Sequence, residues 1–274
     1  MRTFGPTIHW GRSRYQFAVE NLVGPHVLSV GNIGDQGAWR ALLKAASAHQ
    51  IEVWGLDYDL EAAITLQQPQ FAHQVVGDVQ RLPFGEDSFS AVWMGQITEH
   101  LYTPLTTLQL VYEALVPGGV LVLDTPNVYE LGRMMRWIFR GEDSMLGDPT
   151  HVIFYSFTSI YVLLENAGFQ SIQLTSDGKI TLGFASTVIR LQTVPRALHF
   201  LERFGSHILA VARKPGASAP THPIARLVCP ITRQPLVREN EKLYVAGSNI
   251  SYPIRNGIPC LRPIDADKQT RQPV

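Results

Sequence analysis

The sequence lacks the features that mark secreted, membrane-spanning and nucleic-acid-binding proteins. Its 274 residues include only two cysteines, too few for a disulfide framework. No apolar run reaches the roughly 18 residues of a membrane-spanning helix, and no signal peptide precedes the first ordered pattern. Lys and Arg number 23, as do Asp and Glu, so no net charge attracts polyanions. We therefore expect a cytoplasmic protein that does not bind nucleic acid.

The length and composition allow one full α/β domain and a smaller second unit. Hydrophobic residues make up 45% of the chain, which is enough for a large core. The segment PGASAPTHP has no hydrophobic periodicity and is typical of a linker. These features predict a main domain over 1–214, a linker over 215–223, a small domain over 224–266 and a tail over 267–274.

Strand-like and helix-like patterns alternate along the main domain. The strand-like runs are 27–30, 52–57, 73–78, 89–95, 119–126, 171–178 and 207–215. The helix-like runs are 38–50, 59–66, 105–115, 156–169 and 194–205, with Pro117-Gly118-Gly119 expected to end the third and Ser156 to cap the fourth. This order predicts a doubly wound, mostly parallel sheet of seven strands, which binds ligands beyond the carboxyl ends of its strands.

A glycine-containing turn and two acids follow the first three predicted strands. VLSVGNIGDQG places Gly31 at the end of the first strand, Asp57 ends the second, and Asp78 follows the third. A carboxylate can accept both hydroxyls of a ribose, and one beside exposed backbone can read the amine of adenine. The alternative is that both aspartates only cap loops or helices. Two acids at successive strand ends favour a nucleotide site.

VVGDVQRLPFGEDSFSAVWMGQITEHL, followed by EALVPGGVLVLDTPN, resembles the class I S-adenosylmethionine-dependent methyltransferases, and the resemblance covers about 14–214. It implies a Rossmann-like fold and S-adenosyl-L-methionine as the cofactor. By resemblance, Gly31 is expected beside the amino-acid part of the cofactor, Asp57 at the ribose, and Gln96 near the methionine end. Asp78 and the backbone of Val79 are expected at the adenine. The expected cofactor-binding residues are Gly31, Asn32, Gly34, Asp35, Asp57, Tyr58, Asp78, Val79 and Gln96.

The glycine motif departs from that family in two ways. Ser29 stands where the family usually has an acid, and the glycines are three residues apart instead of two. Asp35 is a candidate for the missing negative charge near the cofactor's ammonium group. The competing interpretation is a non-catalytic binding protein that has kept the fold and uses its C-terminal unit for partner contact.

His100 and His151 are the candidate catalytic residues. Methyl transfer is an in-line displacement, so it needs a base only when the nucleophile carries a proton. His151 lies between the fifth strand and the following helix, where it could face an acceptor, or it could simply pack under a lid. His100 could instead have a structural or cofactor-side role. We expect an oxygen nucleophile, and no metal site is expected.

The insert 129–150 is the expected acceptor cover. Arginines alternate there with Met, Trp, Ile and Phe, which predicts a short amphipathic helix. Three interpretations remain open: a lid, a binding surface for an acidic or lipid-linked acceptor, and a helix that rests on a membrane surface through 129–140.

The segment 224–266 has short alternating β runs and the turn pair Asn256-Gly257. Its LVCP and YPIRNGIPCL resemble the small zinc-ribbon-like subunit that activates several methyltransferases, and that subunit's short bacterial relatives. Only Cys229 and Cys260 remain as cysteine ligands, so zinc binding is not expected. The unit is expected to support stability, acceptor docking or contact with a protein partner.

Together these features predict a methyltransferase that acts on a small-molecule or carrier-, lipid- or glycan-linked acceptor. A second alternative is an RNA or protein methyltransferase, but the balanced charge argues against RNA, and QITEHL replaces the motif that binds planar nitrogens. A dehydrogenase is disfavoured because the glycine spacing and the Asp78 segment do not suit a pyrophosphate.

Overall fold

The computed structural model describes residues 13–31, 36–49, 51–65, 72–141, 148–177, 179–182, 187–190, 200–201, 203–217 and 226–268. Its helices are α1 (Arg14–Asn21), α2 (Gln36–His49), α3 (Leu60–Thr65), α4 (Pro104–Ala114), α5 (Leu131–Arg140) and α6 (Phe157–Asn166). Its first nine strands are β1 (His26–Val30), β2 (Glu52–Asp57), β3 (Ala72–Val76), β4 (Phe89–Gly95), β5 (Leu115–Pro126), β6 (Gln170–Ser176), β7 (Lys179–Leu182), β8 (Thr187–Arg190) and β9 (His207–Arg213). The C-terminal strands are β10 (Leu236–Glu239), β11 (Lys242–Val245), β12 (Ile250–Arg255), β13 (Ile258–Pro259) and β14 (Asp267–Lys268).

A seven-stranded sheet in the order β3-β2-β1-β4-β5-β9-β6 forms the centre of the main domain. The first five strands in this order are parallel, and β9 runs antiparallel to both β5 and β6. The predicted doubly wound, mostly parallel sheet of seven strands is therefore confirmed. Its central strands are buried on both faces, which explains their continuous apolar runs.

The two faces of the sheet pack against separate groups of side chains. Val27 and Trp93 point to the face covered by α1 and α2, whereas Leu28 and Met94 point to the opposite face. Neighbouring residues diverge because side chains alternate along a strand. This alternation divides the apolar residues of the strands into two cores.

The start of helix α6 agrees with the sequence pattern, whereas the end of helix α4 differs from it. Ser156 caps α6 as expected, and its Oγ accepts the Ser159 N–H. The structure differs at Pro117-Gly118-Gly119, which lies inside β5, whereas α4 already ends at Ala114. Leu115 pairs with Phe89 of β4, so pairing with the sheet, rather than the proline, ends that helix.

Two further features lie between β6 and β9. The strands β7 and β8 form an antiparallel hairpin that the sequence patterns did not predict. Most of the expected helix over 194–205 lies outside the described residues. None of the helices in the described part of the chain is long and apolar enough to cross a membrane.

The C-terminal strands form a separate small sheet, in which β10, β11, β12 and β13 are neighbours and β14 pairs with β12. Asn256 and Gly257 have φ of 52° and 77° and turn the chain between β12 and β13, as their sequence predicts. Cys229 packs in the large core and Cys260 in a separate cluster with Val76. The linker expected over 215–223 lies mostly outside the described residues.

The small sheet packs against β3, the edge strand of the large sheet. Leu261 donates its backbone N–H to the Val76 carbonyl at 2.6 Å, and Val228 donates to the Pro83 carbonyl at 3.0 Å. Arg233 donates to the carbonyls of Leu82 and Phe84. The bond to Val76 satisfies a backbone group of the edge strand, which would otherwise be open to pairing with other chains, and the other bonds join the small unit to the segment that follows β3.

Candidate active site

The carboxyl ends of the parallel strands bring the glycine turn beside the acid of the second strand. The Gly31 N–H donates to the carbonyl of Leu56, the residue before Asp57, at 3.0 Å. Gly31 has a φ of +71°, a left-handed conformation that favours glycine. A Cβ added at Gly31 would lie 2.1 Å from Cδ1 of Ile97. The backbone at this turn therefore lies where only glycine fits.

Asp57 and Asp78 each use one carboxylate oxygen to hold their own loop. Oδ1 of Asp57 accepts the N–H groups of Tyr58 at 2.7 Å and Asp59 at 3.3 Å. Oδ1 of Asp78 accepts the Gln80 N–H at 2.9 Å. Both residues therefore cap their own loops. Capping does not exclude ligand binding, because one carboxylate can accept several hydrogen bonds.

A buried acid lies beside Gln96 at the end of the fourth and fifth strands. Gln96 Nε2 donates to Oδ2 of Asp124 at 2.7 Å, and Arg14 Nη1 donates to the same oxygen at 3.3 Å. Asp124 is fully buried, and its Oδ1 has no hydrogen-bond partner among the described residues. Burial raises the pKa of the Asp124 carboxyl, and the Arg14 guanidinium opposes that rise. The arrangement holds the amide of Gln96 in one orientation.

Glu99 is a second buried acid at this edge. Only 1% of Glu99 is exposed, and its Oε2 accepts the hydroxyl hydrogen of Thr125 at 3.0 Å. Burial is the main reason that the pKa of Glu99 rises to about 7. Its backbone carbonyl accepts the N–H groups of Val152 and Ile153, at 2.8 and 3.1 Å. The residues around His151 are thereby fastened to the turn that carries Glu99.

His100 and His151, the candidate catalytic residues, lie side by side. Their ring centroids are 4.8 Å apart with an interplanar angle of 69°. Nδ1 of His100 lies 3.1 Å from the Thr150 carbonyl oxygen. Burial, followed by the neighbouring His100, lowers the pKa of His151 and so favours a neutral ring.

The edge thus collects most of the residues expected from the sequence. Gly31, Asp57, Tyr58, Asp78, Val79 and Gln96 lie at the ends of β1 to β4, and His100 and His151 lie beside them. The expected residues Asn32, Gly34 and Asp35 lie outside the described part of the chain. Ser29 is buried, and its hydroxyl has no hydrogen-bond partner among the described residues.

Sequence reasoning missed Arg14, Glu99, Asp124 and Thr125 as members of the site. One signal was present for Asp124, because a charged residue interrupts the otherwise apolar run LVLD of a central strand. Arg14 carried no such signal, since its contact with Asp124 joins two segments that are far apart in the chain.

Comparisons with known proteins agree with this arrangement. A family model described as a methyltransferase domain matches residues 11–174. An S-adenosylmethionine-dependent methyltransferase of Mycolicibacterium smegmatis is 30% identical over 120 residues, which is 43% of this chain and 43% of that relative. A biotin biosynthesis bifunctional protein of Teredinibacter turnerae is 27% identical over 142 residues, 52% of this chain and 23% of the relative. The matches thus span less than half the length of these curated relatives.

Solved structures share the fold at low sequence identity. A chain from a complex of the Haloferax volcanii Trm112 methyltransferase activator with a methyltransferase aligns with a TM-score of 0.53 and 19% identity, over 74% of this chain and 89% of that chain. An Archaeoglobus fulgidus SAM-dependent methyltransferase also aligns with a TM-score of 0.53 and 19% identity. This alignment covers 73% of this chain and 91% of that chain. The family match covers more than half of the chain and includes the glycine turn, both capping aspartates and Gln96. The protein therefore belongs to the methyltransferase-domain family.

Proposed function

We propose that the protein is an S-adenosylmethionine-dependent methyltransferase that acts on an oxygen of a small-molecule or carrier-linked acceptor. The hydrogen bond from Gly31 to the carbonyl beside Asp57 carries the proposal, because it brings the two expected cofactor contacts together at one edge. The match to the methyltransferase-domain family supports it.

The residues present fit this cofactor. The φ of +71° at Gly31 and the collision that an added Cβ would make with Ile97 both require glycine there, so the chain can keep the tight turn that the family uses beside its cofactor. Asp57 offers carboxylate oxygens at the position expected for the ribose, and Asp78 does so at the position expected for adenine. When bound, S-adenosylmethionine would supply an electrophilic methyl group on a sulfonium.

The chain's own contribution to the reaction would be orientation and proton removal. Gln96, held by Asp124, would fix the methionine end, since its amide has one defined orientation. His151 and His100 are the residues that we expect to act on the acceptor and its proton, because His100 lies on the turn that follows β4 and His151 on the segment that follows β5, and these two strands are parallel neighbours.

The helix α5 is the proposed acceptor cover. Trp137, Ile138 and Phe139 are exposed by 65%, 58% and 62%, and Arg136 lies on the same helix. Exposed apolar side chains beside arginine suit a lipid-linked acceptor or the surface of a membrane that contains acidic lipids. Sedimentation with anionic vesicles tests this contact. Weaker binding of Ile138→Ser is expected, and unchanged binding would contradict it.

The C-terminal unit is proposed to act as a built-in activator of the main domain. Arg262 Nη1 donates to the Tyr58 carbonyl at 3.1 Å, and its guanidinium lies 5.2 Å from the centroid of the Tyr58 ring. Tyr58 follows Asp57 directly, so the unit supports the loop expected to hold the ribose. The Haloferax volcanii complex, which contains a Trm112 activator, offers a parallel for support by a separate chain.

Calorimetric titration with S-adenosylmethionine and, separately, with its demethylated product tests the proposed function. Micromolar binding by the wild type is expected, with a loss of at least tenfold in Asp57→Ala. Asp59→Ala is the matched control, because Asp59 is the neighbouring acid that caps α3 through the N–H of Glu61. If the wild type binds neither ligand, the non-catalytic binding protein becomes the better interpretation.

A further inference from the structure

Three side chains with metal-binding donor atoms, two of them adjacent in the sequence and the third from a distant segment, lie together beside the proposed acceptor position. One ligand atom from each of Glu99, His100 and His151 lies within 4.8 Å of the other two. We propose that these residues bind one divalent transition-metal cation, such as Mn²⁺, Fe²⁺ or Zn²⁺. Two imidazoles and one carboxylate suit this class of ion and leave coordination positions open.

The carboxylate of Glu99 provides the first argument. It is almost fully buried, and its Oε2 accepts the hydroxyl hydrogen of Thr125. Its Oε1 has no hydrogen-bond partner among the described residues. A buried carboxylate oxygen without a donor is costly, and a cation would satisfy it.

The polar contacts of the two histidines provide the second argument. The Thr150 carbonyl oxygen, 3.1 Å from Nδ1 of His100, can only accept, and the Thr150 hydroxyl, 3.0 Å from the same nitrogen, donates its hydrogen to Asp148, so both contacts favour a ring hydrogen on Nδ1. This leaves the lone pair of His100 on Nε2. Nε2 of His151 lies 3.7 Å from Oδ2 of Asp148, which is too long for a hydrogen bond, so this contact leaves either ring nitrogen of His151 able to bind a metal ion. Metal-binding histidines commonly donate their second nitrogen to a carbonyl or carboxylate in this way.

The backbone holds the three ligands close before any ion binds. The Glu99 carbonyl accepts the N–H groups of Val152 and Ile153. The Tyr155 hydroxyl donates to the Thr98 carbonyl at 3.3 Å. Neighbouring ligands of a transition metal are about 3 Å apart at bond lengths near 2.1 Å, so small side-chain rotations would complete the site.

The role of this cation in methyl transfer rests on the proposed function, whereas its binding does not. An open coordination position beside the proposed acceptor would bind the acceptor's oxygen and orient it. The histidines would then act on the acceptor through the cation that they hold.

Titration of the full-length, chelator-treated protein with Mn²⁺ tests the proposal, with electron paramagnetic resonance reporting free Mn²⁺. One Mn²⁺ per chain is expected to bind. Glu99→Gln and His151→Ala are each expected to weaken binding at least tenfold. His73→Ala is the control, because His73 lies at β3, away from the cluster, and pairs with Glu52 at 3.3 Å. It should bind Mn²⁺ like the wild type.

Two results would overturn the proposal. One is that neither Mn²⁺ nor Zn²⁺ binds to the wild type, and the other is that the cluster variants bind as tightly as the wild type. Circular dichroism identifies a variant that has not folded. If Glu99→Gln does not fold, the Mn²⁺ affinity of His151→Ala, which changes a loop residue, decides between these results. Asp57→Ala should lose the cofactor but keep Mn²⁺, which separates failure of this proposal from failure of the proposed function.

Discussion

Gly31 lies in the candidate cofactor site and has a backbone conformation that favours glycine. Its positive φ and its closeness to Ile97 are separate constraints, since the first concerns the backbone and the second the space above it. Gly141 shares the positive φ, at 64°, but a Cβ there would meet no atom within 4 Å. The pair allows the two constraints to be measured independently.

We expect Gly31→Ala to destabilise the protein by about 2–4 kcal/mol, because left-handed strain of about 1–2 kcal/mol adds to an overpacking cost. Gly141→Ala should lower the free energy of unfolding only by the cost of the left-handed strain. Chemical denaturation gives both values. Cofactor affinity, measured by calorimetry, should fall at least tenfold in Gly31→Ala and stay unchanged in Gly141→Ala.

The double variant Gly31→Ala/Ile97→Ala checks the assigned cause. Truncation of Ile97 removes the two side-chain atoms nearest the added Cβ. Part of the lost cofactor affinity should therefore return. If the double variant binds no better than Gly31→Ala, the contact with Ile97 is not the reason for the loss.

Among the elements, β3 connects the two parts of the protein. On one side it pairs with β2, and on the other Val76 pairs with Cys260 of the small sheet. Arg262, two residues beyond Cys260, is held by Asp265 through bonds of 2.7 and 3.0 Å. The side chain that supports the Tyr58 loop is therefore itself fixed in position.

We expect Arg262→Ala to weaken cofactor binding about three- to tenfold, or about 0.7–1.4 kcal/mol. A hydrogen bond to a charged group contributes about 1.5–3 kcal/mol, and only part of it is expected to act on the cofactor through the Tyr58 loop. Calorimetry of the folded variant measures the change. Arg238→Ala is the matched control on the same sheet, since Arg238 donates to the Asn240 carbonyl and lies on the exposed strand β10. Equal affinities of the two variants would contradict a supporting role for Arg262.

Across the whole molecule, one core runs through both units. Phe84 and Leu82 of the main domain belong to the same buried cluster as Tyr252 and Leu261 of the small sheet. A shared core couples the folding of the two parts, because neither buries these side chains alone. The small unit, with about forty residues, also has little core of its own.

Unfolding in denaturant should therefore be a single transition for the two units. Both cysteines, Cys229 and Cys260, lie in the small unit and are buried, whereas all five tryptophans lie before residue 138. Thiol labelling and tryptophan fluorescence thus report on different units of the wild type. Their midpoints should coincide, and thiols that react at a clearly lower denaturant concentration would show that the small unit opens separately.

Much of the fold could be predicted because its signals are local. The apolar runs of β2 and β4 coincide with their predicted bounds, since buried central strands are continuous in sequence. The Ser156 cap of α6 was likewise visible in a few neighbouring residues. The start of β5 could not be predicted from neighbouring residues, because pairing with Phe89 across the sheet determines where this strand begins.

The sequence alone determined the alternation of strands and helices, the glycine turn and the aspartates at the strand ends, because each depends on residues that are neighbours in the chain. Only the tertiary structure decided that Asp124 meets Arg14, that Glu99 is buried beside His100 and His151, and that the C-terminal sheet covers β3. These contacts join distant segments, so their distances and burial depend on packing of the whole chain, which no local pattern records.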